Sequence, residues 1–183
     1  MTFTALQTDS PTLHLITEDN LAGVVEQLRG FPDSPHLLAE SLRDYQPAYD
    51  RGRRVCFGFS VRLGAELAGL VALRVERWEE RAGSTSAEVF RHMRGRGVAP
   101  GCKAHLFYLA FGVLGLHRVA TVCRVSNQAS RHSIEKTAGL RLEGVMRESG
   151  VNEHGAFEDE CLYAILRQDW AQLYDPSHVT LWP

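Results

Sequence analysis

With 183 residues, 44% of them hydrophobic and 23% charged, and a formal net charge of -2, the chain reads as one soluble globular domain and not as a disordered chain, a membrane protein or a general nucleic-acid binder. Cys56, Cys102, Cys123 and Cys161 form no Cys-x-x-Cys pair, which suggests neither a zinc site nor a disulfide framework, and they read as reduced thiols. Met1 to Ser10 lacks the make-up of a signal peptide, and the most apolar run, Leu106 to Leu116, falls far short of the roughly 20 residues that span a bilayer, so a cytoplasmic protein is expected.

In chain order, Leu13 and Leu15 alternate with polar residues like a half-buried strand. Thr17-Glu18-Asp19 then offers capping oxygens to a helix carrying Leu21, Val24, Val25 and Leu28 and ending near Gly30. The prolines of Phe31-Pro32-Asp33-Ser34-Pro35 mark a turn, and a second helix is expected from about His36 to Tyr49. Arg51-Gly52-Arg53-Arg54 reads as a solvated loop, with contact to an acidic substrate as the alternative. Val55 to Val61 and Leu67 to Val75 predict an antiparallel hairpin turning at Gly64, and a charged loop from Trp78 to Gly83 leads into a strand from Ser84 to Val89.

That strand delivers the chain to Arg94-Gly95-Arg96-Gly97-Val98-Ala99, which opens an amphipathic helix from Pro100 to Leu114 closed by Gly115. Two glycines allow dihedrals closed to other residues and leave the backbone amides uncovered. The start of a helix adds unpaired N–H groups and the positive end of its dipole, so a phosphate would find donors converging on it. His117 to Val125 alternates as a strand, Ser126 or Asn127 can cap a helix from Ala129 to about Thr137, and Leu140 to Arg147 and Glu160 to Leu166 read as two strands around a polar loop. A short helix at Asp169-Trp170 and a loose tail from Pro176 end the chain. Strand-helix-strand order is clear only in the middle, so the expected fold class is α/β (α+β), a mixed central sheet flanked by helices.

The hexapeptide Arg94 to Ala99 fits R-x-x-G-x-A and resembles the acetyl-CoA pyrophosphate loop of the GNAT superfamily of N-acetyltransferases. Leu114-Gly115-Leu116-His117-Arg118-Val119, Asn127-Gln128-Ala129-Ser130, Glu135-Lys136, Leu142-Glu143-Gly144, Gly155 to Asp159 and Tyr163 to Trp170 follow in register, most similar to the branch of Rim-type ribosomal-protein N-terminal acetyltransferases. The resemblance implies a single domain over 1–183, with an acceptor-side region at 11–83, an acetyl-CoA-binding core at 84–170 and a tail at 171–183. It implies that backbone groups of Ala87, Glu88 and Val89 lie along the acetyl and pantetheine arm, at a splay between two strands. Amides of Arg94, Gly95, Arg96, Gly97, Val98 and Ala99 would hold the pyrophosphate, and Asn127 and Ser130 would bind the arm near its sulfur.

The implied reaction is direct attack of a neutral primary amine on the thioester, with no metal. The protein then accepts a proton from the amine and supplies one to the departing thiolate. Ser130 is the candidate donor, although its hydroxyl could equally cap its own helix. Glu148 and Glu88 are candidate bases; a solvated surface carboxylate is the other reading of Glu148, and alternation along the strand could turn Glu88 away from the amine. His105 and His117 rank below them, Asp159 could order the neighbouring loop, and the tryptophans read as packing. Two departures stand out: Glu135-Lys136-Thr137-Ala138-Gly139-Leu140 carries one residue more than the usual E-K-x-G-F, and Pro100-Gly101-Cys102-Lys103 replaces a common Thr-Glu-Ala run. The expected acceptor is a protein N-terminal α-amino group, the alternatives being an amino acid, polyamine or aminoglycoside, or a silent acyl-CoA sensor. A homodimer is possible on the same resemblance.

Overall fold

The computed structural model describes residues 2–4, 11–28, 55–152, 154–173 and 180–182. The helix expected from His36 to Tyr49 and the Arg51 to Arg54 run lie outside them. Within the described residues a sheet runs in the order β7-β8-β6-β5-β4-β3-β2-β1-β9. Its strands are β1 (Thr2–Thr4), β2 (Thr12–Leu15), β3 (Val55–Leu63), β4 (Glu66–Arg77), β5 (Ala82–Val89), β6 (Arg118–Arg124), β7 (Arg141–Val151), β8 (Phe157–Leu166) and β9 (Thr180–Trp182). Only β5 and β6 pair in parallel; every other neighbouring pair is antiparallel, so the sheet is mixed, as the sequence predicts.

Helices α1 (Glu18–Leu28), α2 (Val98–Phe107), α3 (Gln128–Glu135) and α4 (Arg167–Leu173) accompany it. The main core joins Phe59, Val61, Val71, Leu73 and Val75 of the sheet to Cys102, Leu106 and Phe107 of α2 and Trp170 of α4, which places both helices on one face. A smaller cluster packs Ile134 of α3 against Cys123, Cys161 and Tyr163. Trp78 and Trp170 are packing residues, as expected; the Trp170 ring lies 5.6 Å from that of Phe111, tilted by 37°, and meets Tyr108 edge-on at 6.3 Å.

Several sequence expectations need correcting. The helix expected from Pro100 to Leu114 starts at Val98 and widens into a π-type segment over Tyr108–Val113, where Leu114 N–H donates to the Leu109 carbonyl at 2.9 Å. Gly115 then takes the left-handed conformation, φ 68°, that ends the helix as anticipated. β7 and β8 reach further than expected and leave only a short connection, because Gly150 and Val151 of the predicted loop pair with Glu158 and Phe157 beyond a bulge that takes up Arg147 to Ser149. The tail is not loose at Thr180–Trp182, which pair with β1.

The matched motifs tie these elements together. Arg118 at the start of β6 forms a two-point ion pair with Glu143 on β7, both contacts at 2.5 Å, which raises the guanidinium pKa and holds the carboxyl below its usual range. Glu135 accepts a 2.9 Å hydrogen bond from the Tyr163 hydroxyl, fastening α3 to β8. The extra residue after Lys136 is taken up in the turn, where Gly139 has φ 84° and a Cβ would sit 2.5 Å from the Ile165 side chain.

Candidate functional site

β5 and β6 share a parallel ladder only from Ala82, Gly83 and Ser84 to Arg118, Val119 and Ala120, and then part. One step beyond, the Thr121 hydroxyl donates to the Thr85 carbonyl at 3.0 Å, a side-chain bond where the backbone ladder ends. From Thr85 to Val89, β5 stays bonded to β4 and faces a wedge on its other side. Backbone N–H and C=O groups require partners, and an extended ligand carrying amides can take the place of the missing strand. The opposite side of β5 is set by Gly69 of β4, where a Cβ would stand 2.1 Å from the Glu88 carbonyl oxygen.

At the mouth of the wedge, a 3-10 turn over Arg91–Met93 leads to Gly95 and Gly97, at φ 79° and 75°. Gly97 is the N-cap of α2 and supplies no side-chain cap, so the first amides of the helix stay uncovered; the first helical bond runs from Gly101 N–H to the Gly97 carbonyl at 3.2 Å. Pro100, in the first turn, lacks an N–H that would have no partner inside the helix anyway. Arg94 Nε donates to the Val89 carbonyl at 3.1 Å and its Nη2 lies 3.5 Å from Glu88, fixing the loop to the end of β5. Arg96 reaches Met93 Sδ and, at 3.8 Å, Glu66. Nothing lies within 4 Å of where a Cβ would stand on either glycine, so the loop presents bare backbone, positive charge and open space, which fits a pyrophosphate.

A family model described as "Acetyltransferase (GNAT) domain" matches residues 2–139. The chain belongs to the GNAT acetyltransferase family. Members of this family use acetyl-CoA as co-substrate. A Bacillus subtilis (strain 168) protein named "Putative ribosomal N-acetyltransferase YdaF" is 27% identical over 104 residues, covering 57% of this chain and 56% of that protein. The chain thus matches little more than half the length of this curated relative. Among solved structures, a "putative acetyltransferase" from T. thermophilus superposes with TM-score 0.67 and 21% identity, covering 90% of this chain and 94% of that one. The spermidine/spermine N-acetyltransferase SpeG of Vibrio cholerae, crystallised with manganese ions, gives TM-score 0.70 and 17% identity over 92% of this chain and 99% of that one. At these identities the two structures speak for the fold alone.

Within this GNAT domain the candidate residues fall into two groups. Ala87, Glu88, Val89 and the Arg94 to Ala99 loop border the wedge together. Asn127 is the N-cap of α3, its Oδ1 accepting from Ser130 N–H at 3.0 Å, which realises the capping role anticipated for Ser126 or Asn127. The half-buried Ser130 stands beside the Cys123 thiol of β6, whose pKa is raised by burial, with the serine hydroxyl acting in the opposite sense. The carboxylates lie elsewhere. Glu88 pairs with Arg94, and because Lys103 of α2 meets Thr85, strand alternation turns Glu88 to the sheet face opposite α2. Glu148 is exposed on β7, in a bulge where Arg147, Glu148 and Ser149 oppose Asp159 alone, and takes φ 49° with its N–H donated to Asp159 Oδ1 at 2.8 Å. Asp159 also accepts Val125 N–H on its backbone carbonyl, so it orders this corner as the sequence suggested. His105 is spent on the Gly101 carbonyl at 2.9 Å and burial lowers its pKa; His117 is exposed at the start of β6.

Sequence reasoning passed over Lys103. It is 3% exposed, its Nζ donates to Thr85 Oγ1 at 3.1 Å and to Thr121 Oγ1 at 3.2 Å, and burial pushes its pKa down to about 8. The signal was there: three residues before Leu106 and seven before Ala110, a lysine stands on the apolar stripe of its helix. Lysine is almost never fully buried unless paired, so such a position marks a group held for a purpose. Among the described residues no set of three or more His, Cys, Asp and Glu side chains could hold a metal ion, and no helix is long and apolar enough to cross a membrane.

Proposed function

We propose that the chain transfers the acetyl group of acetyl-CoA directly to a primary amine, with a protein N-terminal α-amino group as acceptor. The observation that carries this reading is the wedge between β5 and β6 opening onto the uncapped start of α2. The wedge supplies one strand edge for the two amides of the pantetheine arm, and the loop of Arg94 to Ala99, at the end of the same strand, supplies donors for the diphosphate. The family match supports acetyl transfer; the name of the Bacillus subtilis relative supports a ribosomal-protein acceptor.

In this reading Ala87 to Val89 orient the arm through their backbone, Asn127 lends its side-chain amide N–H, and Ser130 gives the thiolate a hydrogen bond or a proton. That hydroxyl carries a single O–H, so to serve the thiolate it must turn away from the Cys123 sulfur. Glu148 or Glu88 would take the proton from the amine through water, since neither carboxylate stands in the wedge. The pairing of Glu88 with Arg94 also favours a second reading, an acyl-CoA sensor without turnover.

Calorimetric titration with acetyl-CoA, followed by a thiol-release assay against N-terminal peptides, amino acids, polyamines and aminoglycosides, tests both. Micromolar-range binding with release of CoA on peptides is the expected result. Release only on small amines moves the acceptor to that class, binding without release on the whole panel establishes the sensor, and absence of binding refutes the assignment.

A further inference from the structure

The ammonium of Lys103 sits where β5 and β6 stop pairing. Its two partners, Thr85 and Thr121, are the residues immediately beyond the last ladder pair, Ser84 with Ala120, and both are buried. Thr121 in turn donates to the Thr85 carbonyl, so three groups from three elements close the end of the wedge in one connected set. Among the described residues no carboxylate is paired with the ammonium; the titratable groups that influence it are the thiols of Cys102 on its own helix and Cys123 on β6. A buried charge without a counter-ion is expensive, and a methionine of the same length would fill the space without that cost. Packing does not explain the lysine. What it has that methionine lacks is three directed donors, two of them spent on hydroxyls from the two strands that separate.

We infer that Lys103 is a positioning residue for acyl transfer: by bridging Thr85 and Thr121 it sets the spacing of β5 and β6 at the closed end of the wedge, and so the place where the acyl end of the thioester arm comes to rest. The inference rests on the acetyl-CoA reading above. The diphosphate loop lies at the other end of the wedge and is held by Arg94 and Gly97 independently of the clamp. Anchoring of the cofactor and placement of its reactive end are therefore separable. A misplacement of about 1 Å at a reacting centre can cost on the order of a hundredfold in rate, so the clamp should be read in kcat more than in affinity.

The test compares the full-length wild type with Lys103→Met, Thr121→Val and the double variant, reading kcat on the preferred amine, Kd for CoA, melting temperature, and amide hydrogen exchange across residues 85–89. For Lys103→Met the expected result is a melting temperature at or above wild type, Kd for CoA within about threefold, kcat lower by about tenfold or more, and faster exchange at 85–89. Thr121→Val should shift kcat and exchange in the same direction, and the double variant should be no worse than Lys103→Met, because both changes open one clamp. Unchanged kcat and exchange in both single variants overturn the inference, as does a parallel loss of melting temperature, CoA affinity and kcat, which would mark Lys103 as purely structural. If Lys103→Met does not fold, Thr121→Val decides by the same criteria. A wild type that binds no CoA refutes the functional reading instead, and exchange at 85–89 in the variants still decides the clamp.

Discussion

Gly97 combines a positive φ of 75° with empty space around its would-be Cβ, so any side chain there meets backbone strain and no steric clash. Gly97→Glu should cost stability by only about 1–2 kcal/mol, the usual penalty of a left-handed L-residue, while acetyl-CoA binding is lost because a carboxylate stands where the diphosphate belongs. Retained affinity in the folded variant would disprove the cradle. Ser130→Ala should lower kcat by about ten- to a thousandfold with a smaller change in Kd if the hydroxyl serves the thiolate; an unchanged rate leaves water as proton source. Lys103 carries a pH signature. Its pKa, about 8 when folded against 10.5 for a free lysine, means that the unfolded chain binds more protons between these values, so stability from this site rises with pH across that window. Below pH 8 the cost is fully present, at about 3 kcal/mol. Cys102, pushed up to about 12 by burial, acts in the opposite sense above pH 9, so the quantity to follow is the difference between wild type and Lys103→Met in urea melts from pH 7 to 10.5. That difference should close as pH rises; a constant gap would refute the depressed pKa. The glycine loop was legible in the sequence because its chemistry lies in adjacent residues. The Lys103 clamp was not, because Thr85 and Thr121 are brought to it only by the pairing of β5 with β6.

Among the strands, β4 shows how one residue governs a neighbour. A Cβ on Gly69 would stand 2.1 Å from the Glu88 carbonyl oxygen, a clash with backbone that no rotamer relieves. Gly69→Ala should therefore push β5 away from β4, destabilise the protein by about 3 kcal/mol or more, and weaken acetyl-CoA binding beyond what the lost stability explains. A variant within about 0.5 kcal/mol of wild type would show that β5 can shift freely. Strand identity was readable from alternation, and the Gly64 hairpin and the Asn127 cap were found where the residues put them. Strand length was not. The polar residues from Gly150 to Asp159 read as loop because exposed edge strands lack an apolar face, and β7 is exposed along most of its length. The bulge at Glu148 has the same origin: a left-handed residue in a strand is fixed by its partner Asp159 across the ladder, and its local sequence gives no warning. The two candidate bases remain apart for a topological reason, since Glu148 lies on β7, with β8 and β6 between it and the β5 strand that carries Glu88.

For the molecule as a whole, binding and folding are linked. Acetyl-CoA at a hundred times its Kd should stabilise the native state by about 2.7 kcal/mol, which for a domain of this size is a rise in melting temperature of roughly 5–10 °C. Scanning calorimetry with and without the ligand measures it, and the rise should vanish in Gly97→Glu; an equal rise in that variant would place the ligand elsewhere. The mixed sheet and its flanking helices were legible in the sequence because the strand-helix-strand run around α2 calls for a parallel pair, β5 with β6, while the Gly64 hairpin calls for an antiparallel one. The closure of β1 on β9 was not legible, since three-residue strands at opposite ends of a chain carry no local pattern that links them. The end of α2 bears on how the chain aligns with its relatives. Over Tyr108–Val113 the wide turns hold a residue more than the same length of regular helix would need. Counting forward from the glycine loop on a regular helix therefore falls out of step by about 100° past this segment, where Leu114 bonds back to Leu109 and the chain turns at Gly115 toward β6. A relative with one residue fewer between its glycine loop and β6 can thus share this architecture, the gap in its alignment falling inside the helix and not in a loop.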